Sequence, residues 1–392
     1  MGDNEIGDEE DLSRVKSDVG RWPVFYYGVG HMLNDITSSC WFTYLLLFLA
    51  DIGLSPRDAA IVMLSGQIAD GFATVFTGEL IDRFGHFKVW HGAGSVLVAV
   101  SFSSVFGGCL PCRIFSTSSV VETTSYSVAA AIFNMGWAAA QVSHMAMVNC
   151  ISLNSTSRVV LTSCRNAFTM VANLSLYAIA LVVFSVITGK SHADIQNQAY
   201  LAFYVIQDLH MAQSAKALVP AIIYISSFVV SIMMQEVSWT GQRLKAYFSI
   251  GGILWVFCGA SIILLPSNMK VYMYVISAFI GVANALMMVT AVSMQSVLVG
   301  LDLNGCAFVY GSLSFLDKIS CGIALYVLQS FQSGASPVAP AADGGLSSSG
   351  YVSVTRYGLG LVPAVSSLVG VGVTLTMKLH THSGSLTKPL LE

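Results

Sequence analysis

Charged residues are scarce in this sequence. Of its 392 residues, 18 are Lys or Arg and 21 are Asp or Glu, which together make 10% of the chain, whereas a water-soluble domain carries about 25%. Hydrophobic residues make up 55%, and the mean hydropathy is +0.70. Because so few charges cannot cover a globule of this size, the composition excludes soluble, fibrous and disordered classes and predicts a polytopic membrane protein.

An excess of positive charge and clustered metal ligands are also lacking. The net charge of −3 gives no basic surface, so we expect no nucleic-acid partner. Cys109 and Cys112 form an isolated pair in a predicted loop, which is too few ligands for a zinc site; a local disulfide is the alternative if that loop faces an oxidising compartment. No metal cluster and no nucleophile with a base and an orienting group is visible. We therefore expect neither an enzyme nor a metal or organic cofactor.

Long apolar runs are abundant instead. Ten are long enough to cross a bilayer, near residues 24–50, 59–81, 88–110, 125–151, 159–187, 216–235, 246–266, 271–299, 304–331 and 355–378. They are expected to be helices, because backbone groups find no water partners in lipid. One set of loops carries ten Lys and Arg and the other six, which places both termini in the cytosol by the positive-inside rule.

The spans divide into two predicted bundles, which gives an all-α polytopic fold. The predicted parts are a disordered cytosolic tail (1–22), an N-terminal bundle of five spans (23–187), a linker (188–215), a C-terminal bundle of five spans (216–379) and a second cytosolic tail (380–392). The stretch 333–350 is rich in Gly, Ser, Pro and Ala, and this composition predicts a flexible loop in the second bundle.

Ionisable side chains in the first two spans are the first candidates for a solute pathway. His31, Asn34 and Asp35 have i, i+3 and i+4 spacing, so they share one helix face. Asp70 and Thr74 are also one turn apart, and Gln67 precedes Asp70 by a turn. A carboxylate beside a hydroxyl suits a bound cation, or a proton carried by Asp70.

Later spans add further candidates, namely Gln141, His144, Arg165 and Lys318, with Trp41 of the first span as a weaker one. A lone Asn, Gln or His in a span is more often a helix–helix hydrogen bond, and that alternative applies to His144. Asp317 and Lys318 point about 100° apart on a helix, so only one faces a central cavity, and we assign Lys318. One acid and two bases around a water-filled cavity are typical of a transporter.

The loop between the second and third spans carries the first family resemblance. Residues 78–88 read GELIDRFGHFK and resemble the loop motif of the major facilitator superfamily, which implies gating roles for Asp82, Arg83, Gly85 and Lys88. Within that superfamily, residues 67–71 and 158–165 resemble the glycoside–pentoside–hexuronide:cation symporter branch. The resemblance implies that Asp70 binds the coupling cation, that Arg165 lies in the cavity and that Lys318 lies near the cation site.

Longer strings are similar to one animal and plant group of the superfamily. They are residues 27–35, 40–48, 136–144 and 306–318. Members of that group are linked to cysteine movement into lysosomes and melanosomes, so the resemblance implies a cysteine-like substrate and a lysosomal or vacuolar membrane. The C-terminal residues 387–392 also resemble a dileucine sorting signal.

The sequence departs from the family pattern in three places. Thr74 replaces a second acid of the sugar transporters, which favours H⁺ as the coupling ion over Na⁺. Asn149 stands where the branch often has a carboxylate at the cytosolic gate. The family fold has twelve helices, whereas this chain lacks the sixth and most of the seventh, of which 200–206 resembles the tail. We expect this loss to open a gap beside Asp70 and Arg165.

Three functions are therefore open. The first is a symporter for a small polar solute, cysteine or a related amino acid, that works by alternating access in an endolysosomal or vacuolar membrane. The second is a sugar:cation symporter. The third is a truncated, non-transporting variant that acts as a partner or regulator. The expected partners are a small-molecule substrate and the lipid bilayer; the oligomeric state is left open.

Overall fold

The computed structural model describes the chain over residues 19–109, 118–152, 154–187, 209, 211, 215–299, 305–334 and 354–379. Most of the expected N-terminal tail, linker and flexible loop, and the whole tail 380–392, lie outside these ranges. The dileucine-like stretch and the seventh-helix remnant at 200–206 lie outside them too.

Within the described ranges the chain forms eleven α-helices. They are α1 (Arg21–Gly30), α2 (Met32–Asp51), α3 (Pro56–Phe84), α4 (Phe87–Phe106), α5 (Ser119–Ile151), α6 (Ser155–Ile187), α7 (Ala215–Met233), α8 (Gly241–Leu264), α9 (Tyr272–Val299), α10 (Cys306–Gly334) and α11 (Val354–Thr376). Helices α1 and α2 together form the first span, so each of the ten predicted spans is present as a helix. The all-α polytopic fold is confirmed.

The first span is broken at His31. Its backbone angles (φ −100°, ψ −6°) end α1, and α2 starts at the next residue. Gly28 and Gly30 precede the break, and glycine is the weakest helix former after proline. A Cβ at Gly28 would lie 2.7 Å from the Cys164 sulfur, so glycine also lets α1 pack closely against α6.

Apolar side chains cover the outside of the helices. Six helices among the described residues (α3, α4, α7, α8, α9 and α11) are long and apolar enough to cross a membrane by length and composition alone. Phe72, Phe76 and Leu264 are 72%, 64% and 78% exposed. Such exposure of large apolar groups is stable in lipid but not in water.

The helices pack as two bundles with two main contacts between them. In the N-terminal bundle α5 packs against α3 and α4; in the C-terminal bundle α8 packs against α9 and α11, and α7 packs against α9. Helix α10 packs against α3 across the boundary, and α6 packs against α7. These two crossings bring polar residues of the two bundles together.

Two glycines set the crossing of α3 and α10. A Cβ at Gly78 would lie 2.6 Å from the Ala307 carbonyl oxygen, and a Cβ at Gly311 would lie 2.5 Å from the Thr74 carbonyl oxygen. Both distances are too short for a side chain, so glycine at both positions permits this close approach. Close backbone contact through small residues is the usual way in which membrane helices associate.

Two expectations from the sequence need correction. Trp41 is not a cavity residue: it is 2% exposed and stacks on Phe133 with ring centroids 3.8 Å apart. The gap expected beside Asp70 is also wrong, since Asp70 is 1% exposed. A groove of about 800 Å³ does open between α1, α6 and the end of α7, where Cys164 and Phe168 line it on either side of Arg165.

The loop after α4 contains a disulfide-bonded cysteine. Cys109 is oxidised, whereas the thiols of Cys40, Cys150, Cys164, Cys258 and Cys306 are free. Cys112, the expected partner, lies outside the described residues. A disulfide at this position fits a loop that faces an oxidising compartment.

Candidate transport pathway

The α3–α10 crossing places a lysine on a buried carboxylate. The Lys318 ammonium donates to Asp70 Oδ1 at 2.5 Å and to the Thr74 hydroxyl at 2.8 Å. The Thr74 hydroxyl in turn donates to the Asp70 backbone carbonyl at 2.5 Å. The side chains of Lys318 and Asp70 are 14% and 2% exposed. This ion pair links the N-terminal bundle to the C-terminal bundle.

An aromatic ring forms another side of this site. The Lys318 nitrogen lies 4.7 Å from the centre of the Trp137 ring on α5, within the range of a cation–π interaction. Asp317 is exposed, whereas Lys318 is half-buried. The structure thus places Lys318, and not Asp317, at the centre of the predicted pathway.

The polar group of the first span lies at the α1–α2 break. The Asn34 amide and the His31 Nε2 atom are 3.2 Å apart, and the Asp35 Oδ1 atom lies 3.7 Å from the same nitrogen. All three residues are buried. The three residues therefore lie together as the sequence predicts, but only Asn34 and Asp35 are helical, because His31 is at the break.

Asp35 also reaches the fifth predicted span. The Thr169 hydroxyl on α6 donates to Asp35 Oδ2 at 2.8 Å and to the Arg165 carbonyl at 3.2 Å. Arg165 is half-buried, and its Nε has no hydrogen-bond partner within the described residues. A buried guanidinium nitrogen without a partner is available to a carboxylate ligand.

His144 packs against the first span from α5. Its Nε2 lies 3.0 Å from the Tyr27 carbonyl oxygen, and the Tyr27 hydroxyl donates to the His144 carbonyl at 2.9 Å. The rings of His144 and His31 stack with centroids 4.7 Å apart. His144 thus makes the helix–helix hydrogen bond that the structural alternative predicted, and it also stands beside His31.

The two glutamines lie at the edge of these groups. Gln67 is exposed on α3, one turn before Asp70, and Gln141 is half-buried on α5, one turn after Trp137. Gln141 Oε1 has no hydrogen-bond partner in the part of the chain that the structure describes. Their roles in binding a solute stay predictions.

The predicted gating loop ties the two bundles together at the end of α3. The Asp82 carboxylate accepts hydrogen bonds from the backbone N–H groups of Ala307 at 2.8 Å and Phe308 at 2.6 Å, which open α10. A carboxylate at a helix N-terminus is stabilised by the unpaired N–H groups and the helix dipole. Arg83 and Lys88 are exposed, and Gly85 has a φ of +68°, so a side chain there would be strained.

Neutral hydrogen bonds join the same ends of the bundles. Asn149, at the end of α5, accepts from the Ser296 hydroxyl at 2.5 Å and donates to the Cys306 sulfur at 3.0 Å. Arg158 of α6 donates to the Ser296 carbonyl at 2.8 Å. The amide at position 149, where the branch often has a carboxylate, therefore makes contacts between the bundles without charge.

Two residues that contact these polar side chains were not identified as candidates from the sequence. His91, on α4, has its ring centroid 5.9 Å from that of His31 and 5.3 Å from that of His144. Since His91 lies inside the third predicted span, its ionisable ring was sufficient to identify it as a candidate site residue. The evidence for Trp137 was weaker, namely its position one turn before Gln141.

Comparison with known proteins finds similarity to a transport family and to proteins of the major facilitator superfamily. A family model described as "MFS/sugar transport protein" matches residues 26–207. The chain is 29% identical to the human protein named major facilitator superfamily domain-containing protein 12, over 78% of this chain and 84% of the human one. It is 28% identical to the mouse protein of the same name, with the same coverage.

This chain is shorter than the human protein within the aligned region. The alignment runs over 404 positions, while 78% of 392 residues is about 306, so roughly 100 aligned positions have no counterpart in this chain. This shortfall is consistent with the expected loss of the sixth helix, the central loop and most of the seventh helix.

Solved structures with the same fold are transporters as well. A bacterial homologue of the iron transporter ferroportin, in an outward-facing state, matches with a TM-score of 0.66 and 11% identity over 90% of this chain and 98% of that chain. A proton:xylose symporter bound to 6-bromo-6-deoxy-D-glucose matches with a TM-score of 0.59 and 9% identity over 90% of this chain and 96% of that chain. At these identities the likeness shows the fold alone.

Proposed function

We propose that the chain is a member of the major facilitator superfamily and a secondary active symporter for cysteine or a related small amino acid in an endolysosomal or vacuolar membrane; the family match over residues 26–207 and the human relative support this. The observation that carries this proposal is the buried Lys318–Asp70 ion pair between the two bundles, with the Thr74 hydroxyl beside it. Charges within a bilayer are unfavourable and mark ion or substrate pathways.

The ion pair supports a coupling role because its partners lie on different bundles. A proton or a cation at Asp70 competes with the Lys318 ammonium, so its binding weakens a contact that holds α3 to α10. Alternating access needs a link of this kind between ion binding and the relative position of the two bundles. A single carboxylate with a hydroxyl offers few oxygen ligands for Na⁺, which favours H⁺ as the coupling ion.

Arg165 and the first-span group support an amino-acid substrate. The Arg165 Nε atom is buried without a hydrogen-bond partner among the described residues. A guanidinium pairs with a carboxylate, and Asp35 accepts from an ammonium, which are the two charged groups of a free amino acid. The cysteine assignment itself rests on the sequence resemblance.

The test is uptake of labelled cysteine by proteoliposomes that contain the purified protein, with an imposed pH gradient. We expect saturable uptake that follows the proton gradient, and loss of that dependence in Asp70→Asn. Glu79→Gln, an exposed acid on the same helix, is the matched control and should keep it. Unchanged proton-driven uptake in Asp70→Asn rules out the coupling role of this residue.

A sugar:cation symporter is the second candidate. The matching family is described as a sugar transport family, and one solved structure of the same fold is a sugar symporter. Competition in the same liposomes separates the two: inhibition of cysteine uptake by unlabelled hexose or pentose, and not by other amino acids, favours the sugar.

A non-transporting partner is the third candidate, and the length difference of roughly 100 aligned positions favours it. On this alternative the chain supports no flux of cysteine or sugar but binds a full-length relative. Co-purification of the two chains from one membrane, together with inactive proteoliposomes of this chain alone, distinguishes it from both symporters.

A further inference from the structure

Three histidines from three helices meet inside the N-terminal bundle. One ring nitrogen from each of His31, His91 and His144 lies within 4.8 Å of a ring nitrogen of the other two. His31 and His144 are 1% and 2% exposed, and His91 is half-buried. No metal cluster was expected from the sequence, in which these residues are separated by more than fifty positions.

The ring positions fit three ligands of one metal ion. Imidazole nitrogens bind zinc at about 2.1 Å, which with tetrahedral angles places ring centres roughly 5 Å apart. The observed centroid distances are 4.7, 5.3 and 5.9 Å. At tetrahedral angles two nitrogens on one ion stand about 3.4 Å apart, so nitrogens that lie within 4.8 Å of one another need to close by up to about 1.4 Å, which side-chain rotation provides.

In His144 and His31, the ring nitrogen Nε2 already lies beside polar groups that orient the ring. His144 Nε2 faces the Tyr27 carbonyl at 3.0 Å, and His31 Nε2 faces Asn34 at 3.2 Å and the Asp35 carboxylate at 3.7 Å. Metal-binding histidines usually donate their outer N–H to a carbonyl or carboxylate. Rotation of the Asn34 amide by 180° turns its buried Oδ1 towards the His31 Nε2–H, which satisfies both atoms.

The remaining nitrogen on each ring lacks a partner. His31 Nδ1, His91 Nε2 and His144 Nδ1 are buried and have no hydrogen bond to any described residue. Buried polar atoms are rarely left unsatisfied, and three on adjacent rings need an explanation. A shared ion satisfies all three at once.

We propose that His31, His91 and His144 form a binding site for a divalent transition-metal ion of the zinc class. Three neutral imidazoles and an open fourth position are a ligand set that zinc accepts. Arg165 opposes a cation here, because its charge acts on all three rings, while Asp35 offsets that charge from beside His31. The proposal does not rest on the proposed transport of cysteine.

The test is zinc binding by the full chain in detergent, after treatment with a chelator and without a polyhistidine tag. His380 and His382 lie in the C-terminal tail, so the background protein carries His380→Ala and His382→Ala. We expect one tightly bound zinc per chain, X-ray absorption that shows imidazole ligands, and a zinc-dependent rise of the unfolding temperature.

His91→Ala is the decisive variant, because His91 is the least buried of the three. Loss of this ligand should weaken zinc binding at least tenfold and remove the rise in the unfolding temperature. His86→Ala, an exposed histidine near the start of the same helix, is the matched control and should change neither. Equal affinity in His91→Ala and the background protein, or sulfur ligands in the absorption spectrum, overturns the proposal. Since the readout is binding, an inactive transporter leaves this test intact.

Discussion

The two bundles differ in where they carry their polar groups. Helices of the N-terminal bundle hold several buried ionisable residues, among them His31, Asp35, Asp70 and His144. In the C-terminal bundle α9 has no charged residue, and its buried apolar residues include Met273 and Val289, which belong to two hydrophobic clusters. Lys318 on α10 is the residue of this bundle that enters the polar region of the other.

This difference indicates a division of roles. The N-terminal bundle holds most of the candidate groups for binding a solute or a proton, and the C-terminal bundle contributes Lys318 to them. The bundles then communicate mainly where α10 crosses α3 and where α6 meets α7. Changes at the α3–α10 crossing should therefore have larger effects than changes elsewhere in the C-terminal bundle.

The largest effect is expected for Lys318→Met. Removal of one partner from a buried ion pair leaves an uncompensated charge and destabilises a protein by about 3–5 kcal/mol. The unfolding temperature in detergent should fall sharply and uptake should be lost. Lys378→Met removes the same charge at an exposed position and is the control.

The double variant Asp70→Asn with Lys318→Met sharpens this result. Since neither charge is then unpaired, we expect the unfolding temperature to recover while uptake stays lost. A Lys318→Met protein as stable as the parent contradicts the ion pair as the link between the bundles.

A smaller effect is expected when the crossing itself is widened by Gly311→Ala. The added Cβ would lie 2.5 Å from the Thr74 carbonyl oxygen, and overpacking of this kind destabilises by about 1–3 kcal/mol. The unfolding temperature and the uptake rate should both fall, because α10 carries Lys318 away from Asp70.

Gly92→Ala is the matched control for Gly311→Ala. It also lies within a helix, but its Cβ would meet nothing within 4 Å. Alanine is the better helix former by about 1 kcal/mol, so this protein should be slightly more stable than the parent. If both alanine variants behave alike, close helix contact at Gly311 is not important.

The sequence was sufficient for the helices and for the members of the ion pair. Apolar run length determines a membrane helix almost alone, which is why all ten predicted ranges are helical. Asp70 and Lys318 were identified because an ionisable group inside a span is rare, and Thr74 because it lies one helical turn after Asp70. The distances between these residues could not be predicted from the sequence, since they depend on the packing of glycines at the α3–α10 crossing.

Two parts of the site could not be predicted correctly from the sequence, for physical reasons. The three histidines lie on separate helices, so only the tertiary packing brings them together. Trp41 was assigned to a cavity by its type and span, yet its ring stacks on Phe133 in the core. A ring of this size is stable in either place, and its sequence position does not distinguish them.

A still smaller effect than that of Gly311→Ala is expected for Asp82→Asn, at the other end of the α3–α10 crossing. The amide keeps one acceptor oxygen, so α10 loses one of its two N-terminal hydrogen bonds and the favourable charge, about 1 kcal/mol. Opening of the contact should then become roughly fivefold more frequent. The measurement is the maleimide labelling rate of Cys306, which is fully buried beside this contact.

Glu79→Gln, an exposed acid one turn earlier, is the control for this labelling and should leave the rate unchanged. Equal Cys306 labelling in the parent and in Asp82→Asn shows that the gating-loop carboxylate does not hold the bundles together.

The smallest effect is expected for Trp137, which lies in the N-terminal bundle and contacts Lys318 of the other bundle through its ring face. A cation–π contact contributes about 0.5–2 kcal/mol, and Trp137→Phe keeps a ring where Trp137→Leu does not. The leucine protein should therefore unfold a few degrees below the phenylalanine protein. This difference should vanish in a Lys318→Met background, because the cation is gone and only the change in packing remains. A difference that persists without the lysine belongs to packing within the N-terminal bundle, and Lys318 is then held to that bundle by Asp70 and Thr74 and not by the ring of Trp137.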